Sequence, residues 1–205
     1  MESIQRSYDW HQQRLGKFTA SEIYKLMGIK ALGLTGQSYA FDKAVEELFG
    51  EVEENFVSYD MERGVELEPL AFRKFKELKS LDFIEVTECG FFDLGKNSGA
   101  SPDGLVGDDA ILEIKCPKAN TFFKLVATNE IDDKYLYQMQ MQMMATGRSK
   151  AHFFNYYIFD GLEYWHEITI LKDDAICDKI LNRIIEAEQI KLEYINNLNT
   201  NKQWK

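Results

Sequence analysis

Cysteine, proline and histidine are scarce in this chain, with three of each among 205 residues. Cys89, Cys116 and Cys177 are far apart, odd in number and in no C-x-x-C spacing. That excludes a disulfide framework, a zinc ribbon or a four-cysteine cluster built within one chain. His11, His152 and His166 give no metal-ligand spacing either. No run of 18 apolar residues occurs, and Met-Glu-Ser-Ile-Gln-Arg lacks the basic start and apolar run of a secretory signal. The expectation is a soluble protein of a reducing compartment, the cytoplasm. Positive charge is also short: Lys and Arg total 24 against 34 Asp and Glu, a net charge of −10. Alone, this balance argues against a broad basic coat for nucleic acid and against an anionic membrane as partner.

Apolar residues are plentiful, at 45% hydrophobic and 13% aromatic, so a packed core is expected and wholesale disorder is excluded. At about 150 residues per domain, and without a Ser/Gly/Pro-rich linker or internal repeat, residues 1–205 read as a single domain. Ser21–Gly28 reads as a helix stopped by Gly28, Gly28–Ser38 as a glycine-punctuated loop and Tyr39–Phe49 as a helix. Glu51–Asn55 is an acidic surface stretch. Asp60–Ser80 is a helix with Leu67, Ala71, Phe75 and Leu78 on one arc, and Glu68 falls within that arc. Pro69 fits best if the regular helix starts close to it. Phe83–Thr87, Gly90–Leu94 and Ala110–Cys116 read as strands. Asp133–Thr146 is a Met- and Gln-rich helix. Ala151–Phe159 and Leu162–Leu171 form a hairpin through Asp160-Gly161, and Asp173–Leu198 is a closing amphipathic helix. The order implies an α/β or α+β fold with a central mixed β-sheet and flanking helices.

The informative stretch is Ser101-Pro-Asp103-Gly-Leu, then seven residues, then Glu113-Ile-Lys115-Cys-Pro. Alternation along a strand projects Glu113 and Lys115 together, while Leu112, Ile114 and Cys116 form a core face. A short hairpin would return Asp103 beside Glu113. Pro-Asp-Gly alone is usually a turn, and Glu-Ile-Lys alone a solvated strand face. Together behind an apolar strand, two carboxylates and an ammonium are a kit for metal-assisted phosphodiester hydrolysis. Carboxylate oxygens suit Mg²⁺, and a metal activates water while neutralising the scissile phosphate. Between such carboxylates Lys115 stays protonated, so it orients the water rather than deprotonating it.

At these residues the chain resembles the PD-(D/E)XK nuclease superfamily, and more specifically the lambda exonuclease or YqaJ-type viral recombinase family. Five pieces carry the resemblance in order: Trp10-His-Gln-Gln-Arg14-Leu-Gly16-Lys-Phe-Thr19-Ala-Ser21-Glu, Gly64-Val-Glu-Leu-Glu68-Pro-Leu-Ala71, Ser101-Pro-Asp103-Gly, Leu112-Glu113-Ile-Lys115-Cys-Pro and Tyr135-Leu-Tyr-Gln138-Met-Gln140. Gln203-Trp204 echoes the family's C-terminal end. The resemblance implies a restriction-endonuclease-like fold. It gives Asp103, Glu113 and the backbone carbonyl of Ile114 as holders of Mg²⁺, two ions per site, with Mn²⁺ as a substitute. Glu68 would act on the metal directly or through water, Lys115 as the catalytic lysine, and Gln138 as a site-lining amide. Arg14, Ser21 and Ser101 would form a 5′-phosphate pocket, where arginine's planar fork suits phosphate.

The implied activity is a Mg²⁺-dependent 5′→3′ exonuclease digesting one strand of linear double-stranded DNA and leaving 3′ overhangs. Also implied are a ring-shaped homotrimer, a single-strand annealing protein as partner in phage recombination, and no membrane. An endonuclease of restriction or repair type and a non-catalytic DNA-end-binding scaffold stay as alternatives. By default the Met139–Met144 stripe is core or subunit packing, and Trp10 is a core anchor.

Overall fold

The computed structural model describes residues 5–50 and 59–201. The acidic Glu51–Asn55 stretch and the Gln203–Trp204 end fall outside them. A five-stranded sheet forms the centre, in the order β2 (Val86–Thr87), β5 (Gly104–Val106), β6 (Ala110–Lys115), β7 (Lys150–Phe159), β8 (Leu162–Leu171). The β6 and β7 strands are parallel, setting Glu113 opposite Phe153 and Lys115 opposite Asn155; the other pairs are antiparallel. Parallel neighbours need a crossover, supplied here by α4 (Ala119–Thr128) and α5 (Asp133–Thr146). The β7–β8 hairpin turns at Asp160 and Gly161, with φ of 50° and 74°, as a two-residue primed turn requires.

A second, three-stranded sheet orders β1 (Phe18–Thr19), β4 (Ser98–Ala100) and β3 (Phe92–Asp93). Its parallel pairing of Phe18 with Ser98 and Thr19 with Gly99 fixes the N-terminal segment beside the chain entering Ser101 and Asp103. Gly16 starts that segment with φ 69°, and a Cβ there would meet Glu47 Cβ at 3.1 Å. Its N–H donates to Glu46 Oε2 at 3.0 Å, and its carbonyl accepts from the buried Lys191 at 3.0 Å.

The layers follow from the apolar faces. Ala71 and Phe75 of α3 (Tyr59–Ser80) pack on Leu112, Ile114, Phe154 and Tyr156 on one face of the sheet. Met139 and Met143 of α5 pack on Ile111, Ala151 and Phe153 on the other. Beyond α5 lie a 3-10 helix (Ala20–Leu26), α2 (Gly33–Phe49) and α6 (Asp174–Thr200). Ile23, Leu26, Tyr39, Ile180 and Ile184 from these elements pack together with Met141. Helix α5 is therefore apolar on two sides, which accounts for its methionines. Burying a ring such as Phe75, fully inaccessible here, contributes about 2–3 kcal/mol. No helix among the described residues is long and apolar enough to cross a membrane.

The α/β architecture with its mixed central sheet is as the sequence predicts; several elements differ. Ser21–Gly28 is a 3-10 helix ending at Leu26, and at Gly28 a Cβ would collide with the Ala31 carbonyl at 2.1 Å. The expected loop Gly28–Ser38 is shorter, because α2 begins at Gly33. Gly36 sits inside that helix because a Cβ there would press on Leu32 and the Lys25 carbonyl, so this glycine permits close packing. Pro69 lies within α3 rather than near its start. It faces solvent, where the carbonyl left without its helical donor is reachable by water. Two short helices carry no expected element: α1 (Tyr8–Arg14), capped by the Ser7 hydroxyl accepting from Trp10 N, and α4.

Candidate active site

The β5–β6 hairpin does what the spacing requires. Asp103 N donates to Leu112 O at 2.9 Å, and Asp103 Oδ2 accepts from Ile114 N at 2.6 Å. The carboxylate is thus locked onto the backbone between Glu113 and Lys115. Burial, then the charge of Glu113, and to a smaller extent that of Glu68, drive its pKa well above the carboxylate range, against the opposing pull of Lys115.

Glu113 is 1% exposed and fully engaged. Its Oε1 accepts from Gln138 Nε2 at 2.7 Å and meets Lys115 Nζ at 2.6 Å, while Oε2 accepts from Gln142 Nε2 at 2.6 Å. Residues 138 and 142 are one turn apart on α5, so both amides address the same carboxylate. Gln142 Nε2 also reaches Ser101 O at 3.4 Å, and its Oε1 is buried with no partner. Burial works against the charge on Lys115, but Glu113 and Asp103 outweigh it, so its pKa stands above the usual lysine value. The ammonium also lies 5.0 Å from the Tyr135 ring centroid.

Glu68 stands across a cleft of about 310 Å³ whose lining includes Asp103, Ile114, Pro69 and Phe72. Its Oε2 meets Arg6 Nη2 at 2.5 Å, and Gln5 Nε2 donates to Pro102 O at 2.6 Å, so the N-terminal strap lies across this opening. Among the described residues no three His, Cys, Asp or Glu side chains converge closely enough to hold a metal by themselves. The donor chemistry nevertheless fits a hard cation. The buried Glu113 and the half-buried Asp103 stand together with Glu68 at the rim, and Gln142 Oε1 is a spare acceptor suited to a bound water.

The expected phosphate residues are gathered around Trp10. Arg14 stacks on its ring at 4.1 Å and donates through Nη2 to Ser21 Oγ at 3.3 Å, while Trp10 Nε1 donates to Ser101 Oγ at 2.8 Å. Arg14 makes no salt bridge among the described residues, so the ordinary reading as a surface ion pair does not apply. Burial lowers its pKa, with Tyr39, Glu22 and Glu46 opposing. Trp10 is half-buried and serves as a bracket between Arg14 and Ser101, not as a core anchor.

All expected site residues therefore lie in one connected region. Three further residues join them: Gln142, Arg6 and Tyr135. Helical spacing from Gln138 marks Gln142. No local signal marks Arg6, which meets Glu68 across 62 positions of sequence.

Comparison with known proteins agrees with this architecture. An alkaline exonuclease (LHK-Exo) from Laribacter hongkongensis superposes with a TM-score of 0.84 at 33% identity, over 95% of this chain and 97% of that one. Its complex with dAMP gives 0.83 at 32% identity, over the same shares. A phage-related exonuclease from Haemophilus somnus 129PT shares the fold, with a TM-score of 0.74 at 18% identity over 92% of this chain and 99% of that one. No curated protein matches significantly. The model of the YqaJ-like viral recombinase domain matches residues 9–149, and the chain belongs to that family.

Proposed function

We propose that the protein is a Mg²⁺-dependent 5′→3′ exonuclease of linear double-stranded DNA, preferring 5′-phosphorylated ends and leaving 3′ overhangs. The observation that carries this reading is the buried Glu113, held by Gln138, Gln142 and Lys115 beside Asp103. The similarity to an alkaline exonuclease supports the reaction class, and a dAMP complex of that relative supports a nucleotide as product.

Asp103, Glu113 and the Ile114 carbonyl would hold the metal, with Glu68 reaching it directly or through water. Two Mg²⁺ ions, or Mn²⁺ in their place, supply charge neutralisation at the scissile phosphate and a more acidic water. Gln138 and Gln142 fix both oxygens of Glu113, so its geometry is set before substrate arrives. Lys115 keeps its proton, orients the attacking water and offsets charge growing on the phosphate. Arg14, Ser21 and Ser101 receive the terminal 5′-phosphate, with Trp10 holding Arg14 and Ser101 in register. In-line displacement then releases a mononucleotide. The protein acts as one domain in a ring-shaped homotrimer in the cytoplasm of a bacterial host, phage-encoded, and hands the 3′ strand to a single-strand annealing protein.

The test compares linear duplexes with 5′-phosphate and 5′-hydroxyl ends, in Mg²⁺ and in EDTA, alongside a covalently closed circle. Digestion of phosphorylated linear ends alone, dependent on Mg²⁺, is expected. Cutting of the circle would establish an endonuclease, and equal digestion of both ends would remove the pocket assignment.

A further inference from the structure

Ile114 and Asp103 line the cleft beside Glu68, whereas Lys115 lines a second hollow of about 540 Å³, bounded by the first half of α4, the start of α5 and the middle of β7. Three features of this hollow point to one kind of ligand. Asn155 sits opposite Lys115 in the parallel register, and the two project from the same face of the sheet. Asn155 is 2% exposed, and its amide nitrogen has no hydrogen-bond partner. A buried donor without an acceptor is costly, so it marks a position where an acceptor belongs. Helix α4, ten residues long, begins at this hollow with no side-chain cap and no acid in its first turn; Asn120 and Thr121 of that turn line it. Unpaired N–H groups and the positive end of the helix dipole favour an anion there. Lys124 and Lys134 add two cations to Lys115. The acids present are Glu130 and Asp132; Asp132 is the N-cap of α5, accepting from Lys134 N at 3.0 Å, and its other oxygen lies 3.8 Å from Lys134 Nζ, an exposed pair that a phosphate would share.

We propose that this hollow is a second phosphate subsite, binding a phosphate of the nucleic-acid strand on the far side of Lys115 from the Asp103–Glu68 cleft. Asn155 donates to it, the α4 N-terminus faces it, and Lys124 and Lys134 guide it in. The inference rests on the nuclease reading, because it takes Lys115 to stand next to the scissile phosphate. Two sources share the chemistry: the backbone of the bound strand and the 5′-phosphate of the released mononucleotide.

The experiment measures, in EDTA so that nothing is cut, the affinity of a short 5′-phosphorylated single strand carrying a 3′ fluorophore, with thymidine 5′-monophosphate as competitor. Asn155→Asp keeps the shape and replaces the donor with a charge, and it should weaken the strand about tenfold or more. Lys124→Ala/Lys134→Ala changes exposed or half-exposed positions and should weaken binding while lowering the salt slope by about 1–2. This pair decides the matter if Asn155→Asp fails to fold by circular dichroism. Competition by the mononucleotide that the variants weaken assigns the subsite to the product; strand binding without such competition assigns it to the backbone. Unchanged affinity and salt slope in the folded variants would overturn the proposal. Cleavage of linear duplex by the wild type in Mg²⁺ is scored separately. If the wild type cuts DNA and the variants bind normally, only the subsite falls; if it does not cut, the nuclease reading falls.

Discussion

Gln142 donates to Glu113 Oε2 at 2.6 Å, on the carboxylate oxygen that neither Gln138 nor Lys115 reaches. Each amide therefore fixes one oxygen of a fully buried acid. A hydrogen bond to a charged group contributes about 1.5–3 kcal/mol, and 1.4 kcal/mol is tenfold in rate. Gln142→Ala or Gln138→Ala should lower kcat on linear duplex by about 10- to 100-fold with little change in KM. Gln142→Glu, which sets a second carboxylate against Glu113, should lower it further. Steady-state release of acid-soluble nucleotide measures all three. Wild-type kcat in Gln142→Ala would remove this residue from the site.

The half-buried Asp103 makes the site costly to fold with this carboxylate charged. Its pKa is raised, so the fold favours the protonated form, and stability is lost as pH rises through the folded pKa. Asp103→Asn should therefore stabilise the metal-free protein, by more at pH 8 than near the unfolded carboxyl value of about 4. At this chain length 1 kcal/mol moves Tm by about 2–4 °C, so a shift of at least about 2 °C is expected in EDTA. Mg²⁺ should raise the Tm of the wild type and leave that of Asp103→Asn unchanged, while the variant loses nuclease activity. Differential scanning calorimetry in EDTA and in Mg²⁺ reads both effects. A lower Tm for Asp103→Asn in EDTA would contradict the charge argument.

How much of this was legible in the sequence depends on the range of each interaction. Glu113 and Lys115 stand out because strand alternation is local, and Asp103 follows from a short hairpin. The long α6 announces itself by periodicity. Helix α1 does not, since seven residues are too few to be stable alone and owe their form to packing; α4 carries apolar residues at helical spacing, with Phe122 and Leu125 buried, yet is too short to stand alone. Glycine and proline misled in opposite ways. Gly36 reads as a loop residue but is needed where α2 meets the 3-10 helix, and Pro69 reads as a start but sits on a solvent-facing turn where a missing donor is tolerated. The link from Trp10 to Ser101 spans 91 positions and has no local trace.

That link makes end selectivity testable by parts. Arg14→Ala removes the cation of the phosphate pocket and should reduce the preference for 5′-phosphate over 5′-hydroxyl ends at least about tenfold, the weight of one charge-assisted contact. Trp10→Phe keeps a ring under Arg14 but removes the Nε1 donor to Ser101, so its loss of selectivity should be smaller. The ratio of initial rates on the two ends measures this. Full selectivity in Arg14→Ala would show that the terminal phosphate is read elsewhere.

Arg6 holds a left-handed backbone, φ 67°, which costs a residue with a Cβ about 1–2 kcal/mol, and its guanidinium occupies Glu68. The exposed ion pair repays little of that cost, since its partners are 47% and 29% accessible. Its effect is on charge at the cleft: Arg6 would compete with a divalent cation held by Glu68 under the proposed mechanism. Arg6→Gly relieves the backbone and frees Glu68, so the variant should be at least as stable as the wild type and should bind Mg²⁺ more tightly, by about two- to tenfold, the range of a partly exposed ion pair. Arg6→Lys keeps a cation and should bind Mg²⁺ like the wild type. Isothermal titration with Mg²⁺ in the absence of DNA isolates this step from catalysis. Weaker Mg²⁺ binding in Arg6→Gly would mean that the strap helps to build the metal site instead of competing for it.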